Sequence, residues 1–170
     1  MPAFKPVPTS DFSSVFDRLN KDWMLITAGN QSVANSMTAS WGAFGILWNQ
    51  PVAICFVRPQ RHTFTLTESE DTLTLSFFDE EWKKALSYMG KFSGRDGDKY
   101  AACGMTVAHD ANGTPYPAQA RTVLICRKLY AGRLDEHAFV DPTLIEKNYP
   151  TKDFHQMYVC KIEAVLQRED

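Results

Sequence analysis

Three stretches of the chain concentrate side chains able to do chemistry. Asn35 to Gly42 (NSMTASWG) sets an amide, the hydroxyls of Ser36, Thr38 and Ser40, and the Trp41 indole ahead of a glycine-rich turn containing Gly42 and Gly45. Val57 to Thr63 (VRPQRHT) brings Arg58, Arg61, His62 and Thr63 together where an apolar run ends and a helix begins. Guanidinium forks beside the unpaired N–H groups of a helix start suit the oxygens of a phosphate. Lys91 to Lys99 (KFSGRDGDK) is a flexible loop carrying Lys91, Arg95 and Lys99. Together the three stretches describe one site for a planar, phosphorylated ligand. Plainer alternatives stand beside each. Arg58 and Arg61 could pair with Glu68, Glu70 or Asp71, Trp41 could be core, and the loop could be a solvated turn. Each of His62, His109, His137 and His155 could be structural or simply exposed.

Other chemistries lack their residues. The chain has no GxSxG, Walker loop, GxGxxG after a strand or HExxH, which leaves nucleophilic hydrolysis, P-loop phosphoryl transfer and the doubly wound dinucleotide fold unsupported. Cys55, Cys103, Cys126 and Cys160 stand far apart, with no CxxC and no zinc-ligand spacing. No metal is expected, and the cysteines read as buried thiols in a reducing, cytoplasmic setting. Lys plus Arg (18) against Asp plus Glu (20) gives a net charge of −2, without the basic excess of a nucleic-acid or anionic-membrane binder. No apolar run has the length of a membrane span, and Met1 to Asn20 lacks the pattern of a secretion signal.

The elements that must position these side chains are mostly strands. A length of 170 residues, 44% hydrophobic and 22% charged, suits a single domain with residues 1–20 as a polar lead-in. Strands are predicted at Asp22 to Gly29, Asn35 to Trp41, Pro51 to Val57, Thr72 to Phe78, Thr122 to Tyr130 and Gln156 to Gln167. The unbroken apolar run Pro51 to Val57 belongs at the centre of the sheet, covered on both faces. Thr72 to Phe78 alternates Leu73, Leu75 and Phe77 with Thr72, Thr74 and Ser76, as a half-buried strand does. In the last strand Tyr158, Cys160, Ile162, Ala164 and Leu166 share a face. Helices are expected after an Asp79 cap, with Trp82, Ala85, Leu86 and Met89 on one face, from Asp98 to Cys103, after Asp141 and Pro142, and from Thr63 to Glu70. Strands interrupted irregularly by helices indicate a mostly β fold, an antiparallel β-barrel with peripheral helices.

The ordered set NSMTASWGAFGILWNQPVAICFVRPQRHT, TLTLSFF, GKFSGRDGDKYAACGMT and DFHQMYV resembles the flavin reductase-like family of FMN-binding split barrels, in particular its flavoredoxin-type members. The resemblance runs from about Trp23 to Leu166. It implies a Greek-key split barrel, a homodimer with sites near the subunit interface, noncovalent FMN, and NAD(P)H as co-substrate. By position, Met37, Thr38, Ala39, Ser40 and Trp41 correspond to the strand and turn along the isoalloxazine. Asn35 and Trp41 border the ring, and Thr38 to Ser40 offer backbone amides. Arg58, Arg61 and Thr63 correspond to the phosphate-holding stretch, and Ser93, Gly94 and Lys99 to a loop that closes on the flavin, with Lys99 a candidate cation near N1 and O2. His155 occupies the place of a late histidine where nicotinamide docks, reaching out from the barrel rim, with His137 a weaker candidate. Cys160 stands where many relatives carry glycine.

The function implied is a flavoprotein reductase moving electrons between NAD(P)H and flavin and on to a small molecule or an acceptor protein. Such an enzyme works by positioning the nicotinamide against the flavin and needs few catalytic groups. Two alternatives remain: an FMN electron-transfer protein that does not use NAD(P)H, and a flavin-free binding barrel.

Overall fold

The alternating apolar stretches do form strands. The computed structural model describes residues 3–12 and 14–169. Its strands are β1 (Phe4–Val7), β2 (Met24–Gly29), β3 (Ala34–Ala39), β4 (Gly42–Leu47), β5 (Gln50–Val57), β6 (Thr72–Phe77), β7 (Val107–His109), β8 (Pro115–Pro117), β9 (Thr122–Arg133) and β10 (Gln156–Arg168). The helices are α1 (Val15–Asp17), which runs into a π-helical turn at Arg18–Asp22, then α2 (His62–Ser69), α3 (Lys83–Lys91), α4 (Lys99–Ala102) and α5 (Thr143–Asn148). The main sheet runs β3-β2-β6-β9-β10-β5-β4, with β1 added on β10, and every pairing is antiparallel.

The strands at the two ends of this path, β3 and β4, are joined by only Ser40 and Trp41. So short a link forces the sheet to curl until its ends meet, which makes an open barrel rather than a flat sheet. Gly42 makes the corner possible, because a Cβ there would lie 2.9 Å from the Ile54 carbonyl oxygen. The expected glycine-rich turn at Gly42 and Gly45 is therefore strand β4. The turn itself comes later, at Trp48 and Asn49, both at positive φ.

Other expectations need correction. The Pro51–Val57 run lies in β5, next to the sheet edge, and β9 holds the centre of the path. Only one of its faces is sealed throughout: Ala53, Cys55 and Val57 enter the core, while on the other Val52 is buried and Ile54 and Phe56 stay partly open. Strand β6 is the reverse case. Its hydroxyl face is buried too, because the β7–β8 hairpin region covers it and Thr74 Oγ1 donates to the Pro115 carbonyl at 2.8 Å. Asp79 caps no helix. Its carboxylate bridges Arg121 Nη1 (3.0 Å) and Arg168 Nη2 (2.6 Å), stronger partners than a helix amide. Asp98 does cap, accepting from the Tyr100 and Ala101 amides. The lead-in belongs to the fold: β1 pairs with β10, and Phe12, Val15 and Leu19 pack against the core.

Two apolar clusters sandwich the sheet. One gathers Met24, Ile26, Leu73, Leu75, Leu124, Tyr158 and the thiols of Cys55, Cys126 and Cys160. The other gathers Leu25, Leu86, Met89, Tyr100, Val123 and Ile125 beneath α3. Strand β10 serves both, since its register shifts between Ile162 and Ala164. Tyr158, Cys160 and Ile162 face the first cluster. Beyond the bulge Val165 takes that side, and Ala164 and Leu166 turn to the second, so the single face expected for all five is broken at Glu163. A hydrogen bond with Cys160 and then burial push the Cys55 thiol up, and burial first of all pushes up that of Cys126, which keeps both as protonated packing groups.

The β2–β3 hairpin places Gly29 at φ +133°, where a Cβ would overlap the Val33 carbonyl oxygen and sit 2.9 Å from Ala34 Cα. Gly29→Ala is expected to cost about 2–3 kcal/mol, lowering Tm by roughly 4–12 °C. Thermal unfolding followed by circular dichroism measures this, and an unchanged Tm contradicts the strained geometry.

Candidate functional site

The three chemically rich stretches meet around the C-terminal end of α3. A helix end presents unpaired carbonyls and partial negative charge. Here Arg61 Nη1 donates to the Gly90 carbonyl at 2.8 Å. Lys99 Nζ donates to the carbonyls of Met89 (3.0 Å) and Ser36 (2.5 Å). Arg61 comes from the residue before α2 and Lys99 from the first turn of α4, so this helix end joins the second and third stretches. The first stretch is tied in by Asn35, whose Nδ2 donates to Thr63 Oγ1 at 2.7 Å. Gly94 lies directly against that amide: a Cβ would stand 2.8 Å from Asn35 Cγ and 2.9 Å from His62 Cδ2.

Two adjoining clefts result, and Arg61 lines both. The cationic cleft, about 180 Å³, is bounded by Arg61, His62, Lys91, Ser93, Gly94 and Lys99, with Gln60, Thr63, Phe92 and Asn35 completing it. Among the described residues no carboxylate lines it, although three of its side chains carry cationic groups. His62 Nδ1 is buried there without a hydrogen-bond partner. The Lys99 ammonium is held down to a pKa of about 8, first by burial and then by the charge of Arg61. The aromatic cleft, about 210 Å³, is lined by Met37, Thr38, Ala39, Ser40, Trp41, Phe56, Arg58, Arg61 and His155. Strand β3 ends the path, so its outer edge is free of a pairing strand. Trp41 is 48% exposed rather than core, and its ring centroid lies 5.3 Å from that of His155.

Several residues stand differently from their sequence-based placement. Asn35 lines the cationic cleft and not the aromatic one that holds Trp41. Lys99 is 4% exposed and built into α4; its ammonium reaches the Ser36 carbonyl just before Met37, and it lines the cationic cleft and not the aromatic one. Arg58 pairs with none of Glu68, Glu70 or Asp71. Its Nη1 forms an ion pair with Asp153, its Nη2 donates to the Asn148 carbonyl at 2.9 Å, and its guanidinium lies over the Tyr149 ring. Arg58 thus borders the aromatic cleft and is absent from the cationic one. His155 does not reach out from a rim. It is 7% exposed and wedged among Trp41, Phe56 and Tyr149, because the segment before β10 is folded inward by the Arg58–Asp153 pair. His137 is exposed beside Glu136 and lines neither cleft. Sequence reasoning missed Phe56, Tyr149 and Asp153. The last two lie within six residues of His155, in an aromatic and acidic segment whose partner Arg58 is distant in sequence.

With this geometry described, comparison with known proteins identifies the class. Residues 16–170 match the family described as flavin reductase like domain, and the chain belongs to that family. Structurally it is similar to an FMN-binding protein from Thermus thermophilus with bound p-hydroxybenzaldehyde, at 20% identity and TM-score 0.67, over 87% of this chain and 72% of that one. It is also similar to flavoredoxin from Methanosarcina acetivorans (19% identity, TM-score 0.67, 87% and 69% coverage). A third similar structure is an NADH:FAD oxidoreductase of Streptomyces globisporus in complex with NAD and FAD fragments (16% identity, TM-score 0.64, 87% and 77% coverage). No curated protein sequence matches significantly. These likenesses establish the split-barrel fold. No helix among the described residues is long and apolar enough to cross a membrane, and no group of His, Cys, Asp and Glu there could hold a metal ion.

Burial first, and the Arg58 charge second, hold His155 down to a pKa of about 4. An imidazole with a folded pKa below its unfolded value stabilises nothing by charging: the unfolded chain takes up the proton first. Stability should therefore fall as pH drops from about 6.5 towards 4. An NMR titration of the His155 ring protons checks this, and a midpoint near 6.5 contradicts the buried, neutral ring.

Proposed function

We propose that this chain is a flavin-dependent oxidoreductase that binds FMN noncovalently across the two clefts and takes electrons from NADH or NADPH for delivery to a small-molecule or protein acceptor. The observation that carries the reading is the junction of an aromatic cleft with a cationic, carboxylate-free one through a single side chain, Arg61. The residues present fit such a ligand. Among the described residues the cationic cleft has charge without a counter-ion and an unpartnered His62 Nδ1, both beside the start of α2. A phosphate monoester supplies the missing acceptors. Arg61, Lys91, Ser93 and Gly94 would hold it, while Thr63 keeps Asn35 in place and Gly94 leaves room for both. Met37 to Trp41, Phe56 and His155 would border the ring, and Arg58 fixes the wall behind them through Asp153 and Tyr149.

When bound, FMN supplies the hydride acceptor that no side chain of the protein can provide. The protein holds, orients and excludes water. Two ammonium donors of Lys99 are committed to carbonyls, which leaves the third proton as the one that a bound anion can share. The comparison structures, named for FMN binding, flavoredoxin and NADH:FAD oxidoreduction, support this reading in kind. The exposed apolar run Ile46 (72%), Leu47 (38%) and Trp48 (56%), at the end of the edge strand β4 and in the turn after it, supports a second copy as the natural cover of that edge.

FMN affinity is expected to drop roughly 10- to 150-fold in Arg61→Ala, the loss of about 1.5–3 kcal/mol for a charge-assisted contact. It should also weaken as pH rises through about 8, because Lys99 then loses the proton that an anion favours. Fluorescence quenching titrations of FMN measure both, and unchanged affinity moves the phosphate elsewhere. The decisive experiment mixes the FMN-loaded protein with NADH or NADPH without oxygen. Bleaching of the flavin band supports the reductase. Bound FMN that fails to bleach identifies an electron carrier, and no FMN binding identifies a flavin-free barrel.

A further inference from the structure

Among the described residues Tyr149 is the one side chain that touches His155 by a hydrogen bond, and it lies outside both clefts. Its hydroxyl sits 2.9 Å from His155 Nδ1 and has no other partner among the described residues. The phenol is pinned: Tyr149 is 5% exposed, its ring stacks on Phe154 at 4.8 Å, meets Phe139 edge-on at 5.9 Å, and carries the Arg58 guanidinium at 5.2 Å. A buried phenol proton needs an acceptor, and Nδ1 is the acceptor within reach. If Nδ1 instead carried the ring proton and donated to the phenol, the phenol proton itself would be left buried without a partner. The ring nitrogen must therefore be the acceptor. In a neutral imidazole the other nitrogen then carries the hydrogen. His155 Nε2 meets no acceptor among the described residues, is not among the buried unpartnered atoms, and belongs to a side chain lining the aromatic cleft.

We propose that Tyr149 is a positioning residue that locks His155 in the Nε2–H tautomer, so that the aromatic cleft presents one fixed hydrogen-bond donor to a carbonyl oxygen of the second ligand. The proposal rests on the flavin reading for the identity of that ligand. The nicotinamide carboxamide is the carbonyl that reading supplies. A neutral imidazole N–H is far too weak an acid to deliver a proton at neutral pH, so His155 orients its ligand and transfers nothing. The Arg58–Asp153 pair completes the device, for it holds the Arg58 guanidinium over the Tyr149 ring and keeps the phenol from swinging away. No residue of the cationic cleft takes part, which separates the orientation of the second ligand from retention of the first.

The tautomer can be read without any ligand, from two-bond nitrogen–proton correlation spectra of protein labelled with nitrogen-15 histidine. The wild type should show the His155 proton on Nε2, and Tyr149→Phe should show a mixture of tautomers. A wild-type proton on Nδ1 overturns the proposal outright. A second arm uses FMN-loaded protein and a non-reducing tetrahydro analogue of NADH, titrated by its perturbation of the flavin spectrum. Tyr149→Phe should bind the analogue roughly three- to tenfold more weakly, with the FMN dissociation constant unchanged. His155→Gln, whose amide donates without help from Tyr149, should keep most of the affinity and should make a further Tyr149→Phe change silent. Analogue binding that is indifferent to Tyr149 in the His155 background overturns the positioning role. If the wild type binds no FMN, the flavin reading falls, while the tautomer spectra still decide whether Tyr149 sets the ring.

Discussion

The end of α3 is where the molecule is held together as a binding protein. Two cations from different elements, Arg61 and Lys99, converge on the carbonyls of Met89 and Gly90. Among the described residues neither has a carboxylate for a partner, so both lean on the partial charge of a helix terminus, which is about half an elementary charge. That leaves a local surplus of positive charge in a half-buried place. Burial and mutual repulsion lower the Lys99 pKa, a direct sign of the surplus. The same contacts fix the start of α2, the start of α4 and, through the Ser36 carbonyl, the edge strand β3. An anion entering the cationic cleft would satisfy a charge imbalance already built into the fold, and ordering of the cleft would follow with little rearrangement.

The curled sheet explains why an aromatic cleft adjoins this charge. The ends of the sheet meet at Ser40 and Trp41 without pairing. A closed barrel would have buried Trp41 between strands. The open seam leaves it half exposed, facing His155, with Phe56 contributed by the partly open face of β5. The aromatic wall is thus a by-product of incomplete closure. The cationic cleft arises independently, where α2, α3 and the Lys91–Lys99 segment gather beside β3, and Arg61 lies along the boundary between the two.

Much of this was legible from local pattern, and what was not depended on distant partners. The helical spacing of Leu86 and Met89 and the Asp98 cap are settled by neighbours within one or two turns, and the structure has both. Asp79 has the same local look as Asp98, yet Arg121 and Arg168 claim it from across the chain. Arg58 has acidic residues nearby in sequence, yet its partner Asp153 comes 95 residues later. Strand β4 was hidden because glycine usually signals a turn; here Gly42 is needed for close approach at the seam, and the turn uses Trp48 and Asn49 at positive φ. Most of the residues around the candidate site could be named from sequence. Their division between two clefts could not, since it depends on how α2 and the Lys91–Lys99 segment pack on β3.

The bulge in β10 has a bearing on how this chain can change over time. Up to Ile162 the strand directs one set of side chains into the first apolar cluster, and after the extra residue at Glu163 it directs the opposite set there. Glu163 has no partner on β9, so its removal would leave Ile162 and Ala164 opposite Cys126 and Ile125 and every later side chain on its present side, whereas one further inserted residue would exchange the two clusters' claims to the end of the strand. Val165 would face α3 and Leu166 the thiols. Length variation at this position is therefore one-sided: the last strand can lose its extra residue and keep both clusters supplied, but it cannot gain another, whereas the loops are under no such constraint.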